Sequence, residues 1–310
     1  MQNLLVFHND FIREKRLAKK SEATITSYKE SFKLFYNFLK YKKLEEINKS
    51  KVVEFLEYLN TRKRIIGRGY EVTGVSANTI ITYKNRLSPF FVWLKQNRYI
   101  KINPFDNIEL PRIEKDRREK ILHKEQVQRI FNAISYNIKW RDNFLKKRNE
   151  TIFSVLFYTG LRKGELLGLK VSDIDLNNKI ININASTSKS RRTRRISMND
   201  NLYLILEDYL NSRKKYNNPY LFISSKDKVL TKNGLKHLVN KIENVIKFKF
   251  YLHQFRHTFA VNTLNNIGDV YTVQSLLGHQ KITTTAIYLS YIPEEKKRIA
   301  VNSLNLDDLV

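Results

Sequence analysis

The sequence predicts a mostly α-helical protein in two parts: an N-terminal helical bundle, and a larger, mainly helical domain with a small antiparallel β-sheet or hairpin. Three observations predict it. Apolar residues recur at alternating steps of three and four through most of the chain, which is the period of an amphipathic helix. A proline-punctuated, highly charged stretch interrupts that pattern at 103–120. One segment, 179–198, follows the two-residue alternation of strands instead.

In the first part, Ile25, Tyr28, Phe32, Phe35 and Leu39 form one helix face, with Ser21 or Thr24 as its N-cap. Val52, Phe55, Leu56 and Leu59 predict a second helix. A third follows Ser76, with Ile80, Tyr83, Leu87, Phe91 and Leu94 on one side. Pro89 lies inside that pattern and should kink or split the helix, because proline lacks an N–H and its ring clashes with the preceding turn. The basic stretch 61–74, with Gly67, Gly69 and Gly74, reads as a loop.

Pro104 and Pro111 open the charge run at 103–120, which reads as an interdomain linker. The change of pattern after it divides the chain into units 1–112 and 121–310, joined by residues 113–120. Segment 151–169, TIFSVLFYTGLRKGELLGL, reads as a buried helix that stops at Thr159-Gly160 and restarts. Ile180, Ile181 and Ile183, then Ile196 and Met198, read as two short strands around a polar, basic turn. Helical patterns resume near 200–214, 231–247, 254–266, 270–277 and 282–290, with a last helix near 293–302.

Fifty-seven Lys plus Arg against 30 Asp plus Glu give a formal charge of +27. A solvated basic surface or an anionic membrane would also suit such an excess. Its spread over the whole length, mixed with aromatics, points to nucleic acid, with binding that weakens steeply in salt. The absence of cysteine excludes disulfides, thiolate metal sites and cysteine nucleophiles. No apolar run approaches the ~20 residues of a membrane span. The first twenty residues lack a signal-peptide layout, so a cytoplasmic protein without membrane attachment is expected.

The chemistry gathers between 251 and 291. His253 and Arg256 stand three apart, which on a helix is one face. Leu277-Gly278-His279 follows, then Tyr288 nine residues later. A base, a guanidinium, a second imidazole and a phenol suit phosphoryl transfer to a tyrosine. His257, next to Arg256, points about 100° away and reads as structural and hydrogen-bonded. Upstream, Arg162 and Glu165 alone read as a surface bridge worth under ~1 kcal/mol. Their place after an apolar helix and a glycine turn lets Glu165 orient a guanidinium that faces an anion.

Taken in order, Arg162 in TGLRKGELLGL, the basic hairpin residues, His253-x-x-Arg256, Leu277-Gly278-His279 and Tyr288 resemble the motifs of the tyrosine recombinase (lambda-integrase) family. The resemblance covers essentially the whole chain, and its layout is that of Xer-type recombinases and short integrases. It implies that 1–112 is a core-binding, DNA-binding domain and 121–310 the catalytic domain. Tyr288 is then the nucleophile that forms a 3′-phosphotyrosyl link, with Tyr291 a rival three residues on. Arg162 and Arg256 clamp the phosphate, supported by Glu165. His253 exchanges protons with the tyrosine or holds the phosphate, and His279 donates a hydrogen bond to it. Lys189 on the hairpin is the general acid. There the chain departs from the family pattern, with Ser188 and Ser190 in place of flanking glycines and Ser197 in the second strand. Arg191, Arg192, Arg194 and Arg195 are rival basic groups. No cofactor or metal is implied. The implied partner is double-stranded DNA with specific recombination sites, bound by a homotetramer or heterotetramer that works through a Holliday junction. A type IB topoisomerase and a non-catalytic DNA-binding protein are the alternatives.

Overall fold

The structure, a computed structural model, describes residues 4–40, 43–67, 69–111, 121–185 and 193–302. The chain divides into two compact units, Met1–Asp116 and Arg117–Val310.

The first unit holds α1 (Leu4–Leu17), α2 (Glu22–Leu39), α3 (Lys49–Thr61), β1 (Lys63–Ile66), β2 (Tyr70–Thr73) and α4 (Ala77–Gln96). The helix α1 was not expected. Leu4, Phe7, His8, Phe11 and Ile12 make its buried stripe, and His8 stacks on Phe32 with centroids 3.7 Å apart and planes within 5°. Burial, then the charge of Lys29, pushes the His8 imidazole down to about 4. Ser21 caps α2, its Oγ accepting from the Thr24 N–H at 3.2 Å, so of the two candidate caps it is the serine. The helix α4 runs unbroken through Pro89. Leu87, Phe90 and Phe91 around the proline are buried, and their packing offsets the ~3 kcal/mol or more that an interior proline costs. The core is strongly aromatic: Phe11, Phe35, Phe55, Phe90, Phe91 and Phe105 are fully buried, many of them packed edge to face.

The stretch 61–74, expected as a loop, is a two-stranded antiparallel hairpin with Lys63 opposite Thr73 and Ile66 opposite Tyr70. Gly67 and Gly69 take positive φ at its turn. Arg64 closes its base by donating to the Gly74 carbonyl from Nε and Nη2, at 3.0 and 2.6 Å. Gly74 itself has φ +73°, and a Cβ there would lie 2.3 Å from the Asn60 carbonyl oxygen, so no side chain fits.

The second unit begins with α5 (Lys124–Asn132), α6 (Asn143–Thr159) and α7 (Lys163–Gly168). A three-stranded antiparallel sheet follows in the order β3 (Ile174–Asp175), β4 (Ile180–Ile183), β5 (Arg194–Ser197). The expected pair β4 and β5 is present, with Ile181 opposite Ile196 and Ile183 opposite Arg194; the two-residue β3 was not expected. Then come α8 (Asp200–Ser212), α9 (Lys232–Ile246), α10 (Leu252–Ile267), α11 (Val270–Leu277), α12 (Thr283–Ala286), a 3₁₀ turn (Ile287–Tyr291) and α13 (Glu294–Asn302). The fold is therefore mostly α with small antiparallel sheets, as the sequence predicted.

The centre of this unit is α6, whose Ile152, Phe153, Val155 and Leu156 are fully buried against α8 and α10. A smaller core joins α10, α11 and the 3₁₀ turn through Ala260, Val261, Leu264, Val273, Leu277 and Tyr288. No helix among the described residues is long and apolar enough to cross a membrane.

Candidate active site

The site is built where four chain breaks meet: the Gly160 turn between α6 and α7, the start of β5, the first turns of α10, and the end of α11. Gly160 ends α6 in the left-handed region at φ +60°, as the Thr159-Gly160 pair predicted. That turn delivers Arg162 to the N-cap of α7. Its backbone N–H donates to Glu165 Oε2 at 3.0 Å, and its Nη1 donates to Oε1 at 2.9 Å. The arginine keeps partial exposure, whereas Glu165 is 1% exposed.

Glu165 also holds Arg194 from β5, whose Nη1 and Nη2 donate to Oε1 and Oε2 at 3.1 and 2.9 Å. Burial pushes the Glu165 carboxyl up. The Arg194 hydrogen bonds and charge, then the N–H and charge of Arg162, outweigh that and hold it down at about 2. Arg194 Nε donates to the Leu276 carbonyl at 2.9 Å. One carboxylate thus ties the Arg162 turn to the strand that leads out of the hairpin and, through Arg194, to the end of α11. Gly278, at φ +65°, makes room for this link, because a Cβ there would stand 3.1 Å from the Arg194 guanidinium.

Arg256 on α10 is 1% exposed, and donates from Nη1 to the Gly160 carbonyl and from Nη2 to the Leu277 carbonyl, both at 2.8 Å. Burial, then the charge of Arg162, draws its guanidinium down to about 9, with Glu165 opposing. It remains a cation at neutral pH, and its fork has five donors, so others stay available for an anion. His253, one turn earlier, is exposed at the rim and meets the His257 ring edge-on at 4.6 Å and 86°. Partial burial, then the charges of Arg256 and Arg162, lowers its pKa.

His279 follows Gly278, with its Nδ1 2.9 Å from Thr285 Oγ1. Burial, then Arg256, Arg162, His253 and Arg194, pushes this imidazole down to about 4. A neutral ring that accepts the Thr285 hydroxyl on Nδ1 carries its proton on Nε2. Tyr288 is 2% exposed within the small core, and its hydroxyl lies 2.8 Å from His257 Nδ1. Burial raises the phenol's pKa; Arg256 and Arg162 act against that, while Tyr291 adds to it.

Arg162, Glu165, His253, Arg256, His279 and Tyr288, all named from the sequence, are therefore brought together. Lys189 lies outside the described residues, as do Ser188, Ser190, Arg191 and Arg192. Arg194, weighed in the sequence as a rival to the lysine, is instead bound to Glu165. Thr285 and His257 were not assigned to the site. The TTTAIY lead-in was the signal for Thr285, and the side-by-side Arg256-His257 pair was the signal for His257.

Residues 120–294 match the Phage integrase family and residues 7–101 match the Phage integrase N-terminal SAM-like domain. Tyrosine recombinase XerC of Anoxybacillus flavithermus is 27% identical over 316 residues, covering 98% of this chain and 99% of that protein. The fold is similar to that of the Tn1549 transposon integrase in complex with transposon right end DNA, with TM-score 0.75 at 20% identity, covering 98% of this chain and 99% of that one. It is also similar to the XerH site-specific recombinase in a post-cleavage complex with palindromic difH substrate, with TM-score 0.71 at 23% identity, covering 89% and 78%. The match to the larger unit spans more than half of the chain and contains Arg162, Glu165, His253, Arg256, His279 and Tyr288. The chain belongs to the phage integrase family and is a tyrosine recombinase of Xer-like layout.

Proposed function

We propose that this recombinase cleaves and rejoins double-stranded DNA at specific recombination sites, with Tyr288 as nucleophile. The observation that carries the reading is the setting of Tyr288: a buried phenol whose hydroxyl lies 2.8 Å from His257 Nδ1, acted on by the charges of Arg256 and Arg162, which act on His253 and His279 as well. Tyr288 Oη attacks the scissile phosphorus to leave a 3′-phosphotyrosine and a free 5′-hydroxyl. Arg162 and Arg256 clamp the non-bridging oxygens, with donors already aimed by Glu165 and by the Gly160 and Leu277 carbonyls. His279, its Nδ1 engaged by Thr285 Oγ1, donates to the phosphate from Nε2. His253 holds the phosphate at the rim. Lys189 protonates the departing 5′-oxygen.

The N-terminal unit, residues 1–112, is the core-binding domain, and the charge of +27 supports a polyanionic partner. Exchange proceeds through a Holliday junction within a homotetramer or heterotetramer, in the cytoplasm, serving chromosome-dimer resolution or the movement of a mobile element.

The test is a duplex nicked near its target site, so that the cleaved end diffuses away and the covalent adduct accumulates on a denaturing gel. Tyr288→Phe should abolish the adduct and leave DNA affinity nearly intact. An adduct formed by that variant would remove Tyr288 from the role. Exchange between two sites, rather than relaxation of one supercoiled circle, separates recombination from topoisomerase action.

A further inference from the structure

Tyr288 is a phenol at neutral pH, because its burial raises an already high pKa. It must lose its proton as it attacks. The nitrogen in contact with the hydroxyl is not on His253. It is Nδ1 of His257, at 2.8 Å, with the two rings 5.6 Å apart and inclined at 61°. His253 is one turn nearer the start of α10 and meets the far side of this pair, edge-on to His257.

We propose that His257 is the base that takes the proton from Tyr288 during strand cleavage and returns it during rejoining. The proposal rests on Tyr288 as the nucleophile. The Oη–H bond breaks as its proton passes to Nδ1, and the Oη–P bond forms. The bond from phosphorus to the 5′-oxygen breaks, and that oxygen takes a proton from the general acid. Rejoining reverses each step, so protons and electron pairs balance without a co-reactant. In the tautomer that carries its proton on Nε2, His257 Nδ1 accepts from Oη–H. The groups around the pair are His253 and Arg256 on α10, Arg162 on the α7 turn, and Tyr291 on the 3₁₀ turn. The two guanidiniums favour the tyrosinate and oppose an imidazolium. Transfer therefore completes only as negative charge moves onto the phosphate between them.

Two variants test this in single-turnover cleavage of the nicked duplex. His257→Ala removes the ring, and His257→Asn leaves an amide oxygen near the Nδ1 position that accepts a hydrogen bond but takes no proton. Both should cleave about 10²-fold or more slowly at neutral pH. Their rates should then climb with pH where the wild-type rate is level. A 5′-sulfur leaving group, which needs no acid, should not restore them, and added imidazole should partly restore His257→Ala. Wild-type speed and pH profile in His257→Asn would reduce His257 to a positioning residue and overturn the proposal. Rescue by the sulfur substrate would overturn it as well, by moving His257 to the leaving-group side. In unmutated protein labelled with ¹⁵N-histidine, the acid limb of the cleavage profile should coincide with the titration of His257 Nδ1; a limb that does not follow it counts against the base. An adduct in Tyr288→Phe would sink the nucleophile, whereas a dead Tyr288→Phe beside a normal His257→Asn sinks this inference alone.

Discussion

The two units solve the problem of filling an interior in opposite ways. The first is filled with aromatic rings, and among its described residues the buried polar side chains are His8, Ser31 and Asn103. The second buries Arg148, Glu165, Asp173, Arg213 and Arg256 along with a row of threonines. A buried charge costs several kcal/mol unless it is paired and hydrogen-bonded. In the second unit Glu165 and Arg256 stand at the candidate site, whereas Arg148 is held by Asn149 and the Ile223 carbonyl, Arg213 by the Asn218 and Tyr220 carbonyls, and Asp173 by the Lys170 N–H and Asn184. Buried charge in the second unit thus serves both the fold and the proposed chemistry, whereas the first unit leaves its packing to hydrocarbon.

The strongest way to break this comparison is Arg256→Ala. It should slow single-turnover cleavage by ~10²-fold or more, the scale for losing a preorganised transition-state donor, and normal cleavage would mean that the buried cation serves only the fold. Arg162→Ala should fall by a similar factor. Next is Glu165→Gln, which leaves Arg162 and Arg194 without their shared carboxylate. It should cost about 3–5 kcal/mol in denaturant unfolding, and a neutral result would show that the link is dispensable.

His8 offers the counterpart in the first unit. Its imidazole is held at about 4 in the folded state against 6.5 when exposed. Between those values the unfolded chain takes up a proton that the folded chain refuses, so stability falls as pH drops through this window and falls no further below it. The loss is on the order of 3 kcal/mol. In a Trp140→Phe background, where Trp93 reports on the first unit, His8→Phe should flatten that acid slope. An unchanged slope would assign the acid sensitivity to other groups. The smallest effect expected is Ser21→Ala, which removes one cap bond and should cost ~1 kcal/mol without altering cleavage.

The helices were legible wherever an apolar face is continuous, as from Ile25 to Leu39 and from Ile80 to Leu94. The hairpin at 61–74 was not, because Ile65 and Tyr70 are exposed and none of the side chains described in its strands is buried, so no core face imposes alternation. The stripe of α1 was readable in its spacing, but a histidine occupies one of its core positions. In the site, residue identity and order carried the arginines, the histidines and Tyr288. His257 was passed over because its side chain leaves the face shared by His253 and Arg256. That rotation and the expected hydrogen bond are both present, and the partner, which the sequence did not name, is the Tyr288 hydroxyl on the 3₁₀ turn.

The sharing of Glu165 has a further consequence. Three guanidiniums, Arg162, Arg194 and Arg256, surround this one carboxylate, and the pKa values of His253 and His279 are pushed toward neutral rings. The cluster therefore has two positive charges in excess. A phosphodiester brings one negative charge, and the five-coordinate phosphorus formed on attack brings two. If a phosphodiester occupies this cluster as proposed, attack places one more negative charge on the phosphorus beside the guanidiniums while the phenol's proton moves away onto His257, so the cluster would hold the five-coordinate species more tightly than intact DNA, which is the condition under which binding energy becomes rate.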